Sequence, residues 1–588
     1  MGIASKSATE PNYNLTYLAK HWRTWSFILL TLCLVFFICK KLYEVLEANE
    51  FSFLDGLIFA LAFPSLVSIA ISFCQALVAF VLNIAVKNPL EVACPILKLA
   101  KNNYSIKSKT AIVVPVYNED LFKVSQRLGI LLDQLKPYSK LFEVFILSDT
   151  RDIAACAKEK TIVGRMRVKY GPSLNIRYRR RKENTGRKAG NIMEFCKRWG
   201  TQFEQMLVLD ADSTMRSDTV IQLVKIMDQS PQIGILQTTC LVRSAKTPFS
   251  KMARMGHELA GNLLSTGACF WQQGSANYFG HNALIRLLPF LEYCQLPILP
   301  GSGPLSGEIL SHDFVEAAFI RRAGFEVWSI PTYEGSYEEM PQNIVDYIKR
   351  DFRWCQGNFQ HGKLLMQKNL HISSRFHFTM GISSYLSNLL WLFLIIISLY
   401  RYSYTAIVGQ KYFTTDYQLF PTWPEVKTSE ALALFIGTMI LLATPKIFGA
   451  VLVLSSNSEV KKYGGRLRLL INLFLELVTS SLMAPTTMIY LSRFIFRLLS
   501  GKGVAWTTQQ RDPKGLRISE AIFSLKYQLL TCAIFASLIF YLVPEQIGWF
   551  APIVLGLFLS PLLVSLGSRE DLGELLERNK IFISSEEV

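Results

Sequence analysis

Residues 206–213 read Met206-Leu207-Val208-Leu209-Asp210-Ala211-Asp212-Ser213, four apolar side chains running into two carboxylates two residues apart. A short apolar run of this kind reads as a buried strand, and an unpaired carboxylate at the end of such a strand is costly. A bound cation removes that cost. Mg2+ and Mn2+ favour oxygen ligands, and one or two carboxylates completed by phosphate oxygens is a common arrangement. Asp-x-Asp also arises by chance as a solvated turn, so its surroundings decide the reading.

Between about Asn88 and Phe376, short β-branched runs alternate with helical segments: Ala111–Val116, Phe142–Leu147, Asn175–Tyr178, Met206–Leu209 and Ile233–Gln237. That alternation implies a mostly parallel sheet covered on both faces, with ligands gathering at the carboxyl ends of the strands. Three of these ends are polar: Tyr117-Asn118-Glu119-Asp120, Ser148-Asp149 and Asp210-Ala211-Asp212. The loop from Pro115 through Tyr117, Asn118 and Glu119 suits a base and ribose, and Asp149 suits the N–H of a uracil ring. The run Arg179-Arg180-Arg181-Lys182, followed by Gly186-Arg187-Lys188-Ala189-Gly190-Asn191, offers cations and backbone N–H donors at a helix start, a good pyrophosphate environment. Arg179 and Arg180 read as a solvated face; Lys188, inside the Gly-flanked turn, reads as functional.

Ser311-His312-Asp313 opens an amphipathic helix over 314–323. Asp313 is either its N-cap or a general base that deprotonates an acceptor hydroxyl. Downstream, Arg350-Asp351-Phe352-Arg353-Trp354 sets a fork-shaped cation suited to a diphosphate beside an indole that stacks on a sugar ring.

Membrane segments enclose this block. The chain has 588 residues, of which 50% are hydrophobic and only 18% charged. Apolar runs appear at about Trp25–Cys39, Leu57–Val86, Phe378–Leu399, Ala431–Leu454, Leu470–Phe496, Ala521–Val543 and Ile547–Leu566. Roughly 20 helical residues cross a bilayer core, so most of these are spans. The first is short, but a polar stretch of 20 residues precedes it and no small-residue cleavage site follows Lys40-Lys41, which argues against a signal peptide.

The formal net charge is +17. Lys461, Lys462, Arg466 and Arg468 cluster on one side of Leu470–Phe496, and Arg497, Lys502, Arg511, Lys514 and Arg517 on the other. Short basic loops mark the cytoplasmic side, and one crossing cannot leave both inside. Because the run contains Pro485, it reads as a broken or re-entrant hairpin. Both termini and the polar block are then cytosolic. The basic residues largely flank spans, so nucleic-acid binding is not expected. The 11 cysteines form no CxxC pair, which makes disulfide and zinc frameworks unexpected.

In order, Pro115-Val116-Tyr117-Asn118-Glu119, Asp149, Lys188-Ala189-Gly190-Asn191, Asp210-Ala211-Asp212, His312-Asp313 and Arg353-Trp354 resemble the motifs of the processive family-2 glycosyltransferases, the group of cellulose, chitin and hyaluronan synthases. Gly280-His281-Asn282-Ala283, Arg321-Arg322-Ala323-Gly324, Gly335-Ser336-Tyr337-Glu338-Glu339 and Gln510-Arg511-Asp512 bring the chain nearest the branch that builds osmoregulated periplasmic glucans. The resemblance implies an α/β glycosyltransferase-A domain, a mixed, mostly parallel sheet, inserted between α-helical transmembrane segments. The expected division is a tail and two helices over 1–87, the cytosolic domain over 88–376, and a membrane region over 377–568. That last region holds the re-entrant segment at about 470–497 and a cytosolic loop at 501–517, and a tail over 569–588 follows.

It further implies inverting transfer of glucose from UDP-glucose to a growing β-glucan in the bacterial inner membrane, with export of the product and no covalent glycosyl-enzyme. Asp149 would contact the base, Lys188 and Arg353 the pyrophosphate, Asp212 the Mg2+ (or Mn2+) with Asp210 beside it, and Asp313 would be the base catalyst. His281, His312 and Trp354 would face the acceptor. Trp506, Gln510 and Arg511 would lie in a loop gating the nucleotide. An acyl carrier protein and a periplasmic glucan-modifying protein are the implied partners. Ser311-His312 and Arg350 stand where the broader synthases carry Thr-Glu and Gln, which limits any borrowing of acceptor geometry from cellulose synthase. Three alternatives stay open: a synthase of the cellulose, chitin or hyaluronan type, transfer of single sugars to a lipid carrier, and a transporter or sensor that binds nucleotide without chemistry.

Overall fold

The structure, a computed structural model, describes residues 21–47, 51–331, 334–409, 412–413, 417–421, 423, 427–504 and 513–584. Two long helices come first, α1 (Trp22–Leu46) and α2 (Phe53–Ala85). The α/β block then alternates as expected: β1 (Thr110–Val116), α3 (Leu121–Leu135), β2 (Phe142–Ser148), α4 (Ile153–Tyr170), β3 (Asn175–Arg180), α5 (Arg187–Trp199) and β4 (Gln205–Val208). It continues through β5 (Thr214–Met215), α6 (Ser217–Gln229), β6 (Ile233–Thr238), β7 (Leu241–Arg243), α7 (Pro248–Gln272) and β8 (Ala283–Arg286). It closes with α8 (His312–Arg322), β9 (Glu326–Ile330), β10 (Ser336–Glu339) and α9 (Ile344–His361).

The main sheet has seven strands in the order β3-β2-β1-β4-β8-β6-β9. Pairs among β3, β2, β1 and β4 are parallel, as is β6 with β9, and β8 runs antiparallel to both its neighbours. The sheet is therefore mixed and mostly parallel. On β1, Ala111, Ile112 and Val113 are fully buried, with helices on both faces. Fully burying a side chain the size of Ile112 or Val113 contributes about 1.5–3 kcal/mol. This burial is why the strands read as continuous apolar runs. A second sheet, β5-β10-β7, stands beside the Asp-Ala-Asp turn.

Helices α10 (Ile372–Val408), α11 (Thr428–Leu454), α12 (Arg466–Leu499), α13 (Ile518–Ser524), α14 (Lys526–Leu542), α15 (Ile547–Gly567) and α16 (Glu570–Arg578) complete the chain. Among the described residues six helices are long and apolar enough to cross a membrane, α12 included, and the bent pair α13–α14 makes a seventh if it is one span. The break expected at Pro485 is absent, because α12 runs unbroken for 34 residues through it. The bend, 71°, falls between α13 and α14.

α12 touches the α/β block along its length. Leu469 clusters with Met255 and Leu259 of α7, and Met483 with Ile344 and Ile348 of α9. Phe494 stacks on Phe352 of α9 at 4.4 Å. The segments flanking it do the same: Tyr463 OH donates to Glu258 at 3.2 Å, and the Val504 N–H to Gln356 at 2.9 Å. α12 therefore lies along the base of the block. Its floor-mate α7 packs backbone-close on the spans: a Cβ on Gly267 would meet the Gln75 carbonyl at 2.1 Å, and one on Gly449 the Leu259 carbonyl at 2.0 Å.

Candidate active site

The chain leaves β1 through Asn118, whose φ of 53° is a left-handed turn that Asn tolerates. Its N–H donates to Thr150 Oγ1 at 2.9 Å, which ties this loop to the end of β2. Asp149 sits there, clamped in a bidentate pair: Arg181 Nε donates to Oδ1 at 2.7 Å and Nη2 to Oδ2 at 2.6 Å. Both side chains are buried, and such forks are the strong, orienting ion pairs. Within the arginine run, then, the third residue serves the site. Arg180 is exposed as expected, but Arg179 is buried, donating to the Asn191 carbonyl at 3.0 Å and pairing with Glu194 at 3.1 Å. A solvated Arg179 is thus incorrect, because the end of β3 packs under α5.

α5 starts behind Gly186, at φ 68°, whose N–H donates to Glu308 at 2.7 Å. Two residues on, in the first turn of α5, Lys188 Nζ binds Asp210 Oδ1 and, at 2.9 Å, the Gly280 carbonyl. Arg127 fixes the same turn from the other side: Nη1 donates to the Ala211 carbonyl at 2.8 Å while Nε donates to Glu339 at 3.1 Å. The Asp210 N–H donates to Ser213 Oγ, which lies 3.2 Å from His281 Nδ1. His281 Nε2 is 3.5 Å from Glu338. Among the described residues no group of three or more His, Cys, Asp or Glu forms a closed cation site. Two carboxylates, Asp210 and Asp212, on the pocket wall suit a hard cation whose remaining ligands are phosphate oxygens, and the residues fit that group.

Ser311 is the N-cap residue of α8, so Asp313 stands inside the first turn and is free of capping duty. Burial, with Glu316 adding to it, pushes the Asp313 carboxyl above its ordinary value against the opposing pull of His312 and Lys188. His312 Nδ1 is held 3.0 Å from Glu316. Behind them His361 Nε2 donates to the Ser311 carbonyl at 2.8 Å, and burial pushes its imidazole down to about 4, keeping it neutral. On α9 the Arg350 guanidinium lies 4.6 Å over Tyr347 and 4.4 Å over Trp354, whose indole is 46% exposed.

One cavity of about 430 Å³ gathers these groups. Its wall includes Pro115, Tyr117, Glu119, Asp149, Lys188, Asp210, Asp212, His281, His312, Asp313, Arg353 and Trp354. Asn118 acts from behind the wall through its N–H. Trp506, Gln510 and Arg511 lie outside the described residues. Arg151, Asn184, Glu308, Glu338 and Glu339 also line the cavity and have no role assigned from sequence, and Arg187 of the expected pyrophosphate run joins them there. The Glu338-Glu339 pair, directly after Gly335-Ser336-Tyr337, was the one available signal.

Two family models match the chain: Glycosyl transferase family 2 over residues 111–293 and Glycosyl transferase family group 2 over residues 206–444. Among curated relatives, the glucans biosynthesis glucosyltransferase H of Dickeya dadantii is 38% identical over 505 residues, covering 84% of this chain and 59% of that protein. That of Cupriavidus pinatubonensis is 39% identical, covering 82% and 56%, and that of Escherichia coli 38% identical, covering 82% and 57%. The chain thus spans a little over half the length of the curated relatives it matches. A solved mannosyltransferase from Pyrobaculum calidifontis, in complex with GDP-Man and Mn2+, aligns with 65% of this chain and 98% of its own at 16% identity and a TM-score of 0.36.

Proposed function

From the two overlapping family 2 glycosyltransferase models that together match residues 111–444, we propose that this chain is a family 2 glycosyltransferase that moves glucose from UDP-glucose onto a growing β-glucan of the osmoregulated periplasmic kind. The observation that carries the reading is the cavity itself. It sets paired, neutralised carboxylates on one wall and a buried Asp313, its proton affinity raised, on another.

Asp149, oriented by Arg181, accepts from the base, and the Tyr117–Glu119 loop covers the ribose. Lys188 and Arg353 receive the diphosphate beside the N-terminus of α5. Asp212, with Asp210, would hold Mg2+ (or Mn2+), which when bound supplies positive charge to the departing diphosphate. The acceptor sugar stacks on Trp354 with its hydroxyl toward Asp313, and His281 and His312 complete that side. Asp313 takes the hydroxyl proton as the oxygen bonds to C1 and the C1–O bond to UDP breaks, inverting the anomeric centre in one displacement. A raised proton affinity suits this role, since an ordinary carboxylate is a poor base near neutrality.

With α12 along the base of the block, six crossings remain, and both termini lie with the catalytic domain in the cytosol of a multi-pass inner-membrane protein. The crossing helices would then pass the glucan outward. The test is to incubate membranes containing the chain with UDP-glucose and a divalent cation and to analyse the product's linkages. A periplasmic-glucan backbone supports the reading; a cellulose-type backbone redirects it within the family. Failure to form any glycan from UDP-glucose sinks it.

A further inference from the structure

Behind the Asp149 shelf lies a carboxylate for which the reaction above has no use. Glu159, on α4, is 2% exposed. Its partners are three hydroxyls: Ser148 Oγ and Tyr178 OH donate to Oε2 at 2.6 and 2.8 Å, and Thr150 Oγ1 donates to Oε1 at 2.6 Å. No ion pair accompanies them among the described residues. A buried carboxylate without a cation is poor value for stability, and an apolar side chain would pack α4 on the sheet at less cost.

The chemistry of the acceptor explains its presence. A carboxylate cannot donate, so Ser148 and Thr150 must turn their protons toward Glu159 and their lone pairs away. Those lone pairs meet backbone donors. Thr150 Oγ1 accepts from the Asn118 N–H at 2.9 Å, and Ser148 Oγ from the Thr150 N–H at 3.2 Å. Burial, and after it the bond to Glu159, push the Tyr178 phenol up, so Tyr178 remains a donor as well. Glu159 therefore sets the direction of the hydrogen bonds that tie the Asn118 loop to the strand end bearing Asp149.

We propose that Glu159 is a positioning residue for the donor's base: through Ser148 and Thr150 it holds the Asn118 loop and the Asp149 carboxylate at the separation the flat ring requires. The inference rests on the nucleotide reading of this site. It assigns Glu159 to donor recognition and gives it no contact with substrate.

Glu159→Gln keeps the shape but places an amide donor where an acceptor stood, so one hydroxyl must turn its proton away, and its oxygen then accepts from the amide and the backbone N–H together, which weakens and redirects the backbone bond. In the full chain reconstituted into lipid nanodiscs, KM for UDP-glucose and Kd for UDP should both rise about tenfold, the scale of one misdirected buried hydrogen bond. At saturating donor, kcat should stay within about twofold, as expected when binding is lost equally from ground and transition states. Thr150→Val cuts the same link from the other end, leaving the carboxylate in place with Ser148 and Tyr178 as its donors. It should raise KM by a similar factor, and the double variant should be no worse than the poorer single. An unchanged KM in both single variants overturns the proposal, as does a fall in kcat alone or effects that multiply in the double variant. If the unaltered protein turns over UDP-glucose and these results still fail, only Glu159 is reassigned. If the unaltered protein binds no UDP, the donor reading falls and this inference with it.

Discussion

The two sides of the cavity treat their carboxylates in opposite ways. On the donor side, Asp149 is forked by Arg181, Asp210 is held by Lys188, and Glu339 is paired with Arg127. On the acceptor side, Asp313 has no Lys or Arg at ion-pair distance among the described residues, and burial raises its proton affinity. A residue that recognises must keep one charge and one orientation, which a cation partner enforces. A residue that takes a proton must want one, which burial without a cation supplies.

Asp313→Asn tests the difference most severely. Glucose transfer should fall by roughly a thousandfold, the usual scale for a lost general base, while UDP binding measured by calorimetry stays within about twofold of the original. A variant that kept its turnover would remove the distinction between the two sides. Asp149→Asn probes the other side: KM for UDP-glucose should rise by about ten- to a hundredfold with kcat little changed, because it weakens a charged, buried hydrogen-bond pair used only for binding. An equal loss of kcat would mean that Asp149 shares in the chemistry. Trp354→Ala should weaken binding of an added oligosaccharide acceptor by about tenfold and leave the donor KM alone, since it removes only a stacking face. A shifted donor KM would move Trp354 to the donor side.

The smallest effect concerns stability. Because the folded state holds the Asp313 proton to a higher pH than the unfolded chain does, the original protein loses stability as pH rises from the ordinary carboxylate range through the raised value. Asp313→Asn has no such proton to lose. Its Tm should match the original in acid and exceed it by a few degrees near neutrality. A Tm deficit at every pH would show that the carboxylate is a structural partner instead.

Much of this was legible in the chain. β1, β2, β4 and β6 announce themselves because strands buried on both faces are mostly apolar runs, whereas β3, Asn-Ile-Arg-Tyr-Arg-Arg at the sheet edge, shows only the alternation of Ile176 and Tyr178 with polar residues. β8 does not, since Ala283–Arg286 is four residues long and ends in a charge; its antiparallel place between β4 and β6 is set by tertiary pairing. Residues with a motif around them do gather on one cavity wall. Their partners were harder. Nothing local says that Arg181, and not Arg179, reaches Asp149, because that depends on the sheet bringing β2 and β3 into register. The family matches agree with the resemblance read from Lys188, Asp210-Ala211-Asp212 and Arg353-Trp354. Pro485 misled because proline usually breaks a helix, yet in α12 it packs against α15, where a Cβ on Gly556 would lie 3.3 Å from its ring.

α12 also bears on how such a chain is made. By length and composition it qualifies as a span, so a translocation machinery reading only hydropathy would thread it. Lys461 and Lys462 before it with Arg466 and Arg468 in its first turn, and Arg497 in its last turn with Lys502 after it, resist transfer from both ends. Moving either cluster's charge to the opposite flank would invite the segment across and reverse the orientation of every helix that follows. Under the proposed topology, the positive residues that look like anchors for a finished protein would act as a veto during its insertion.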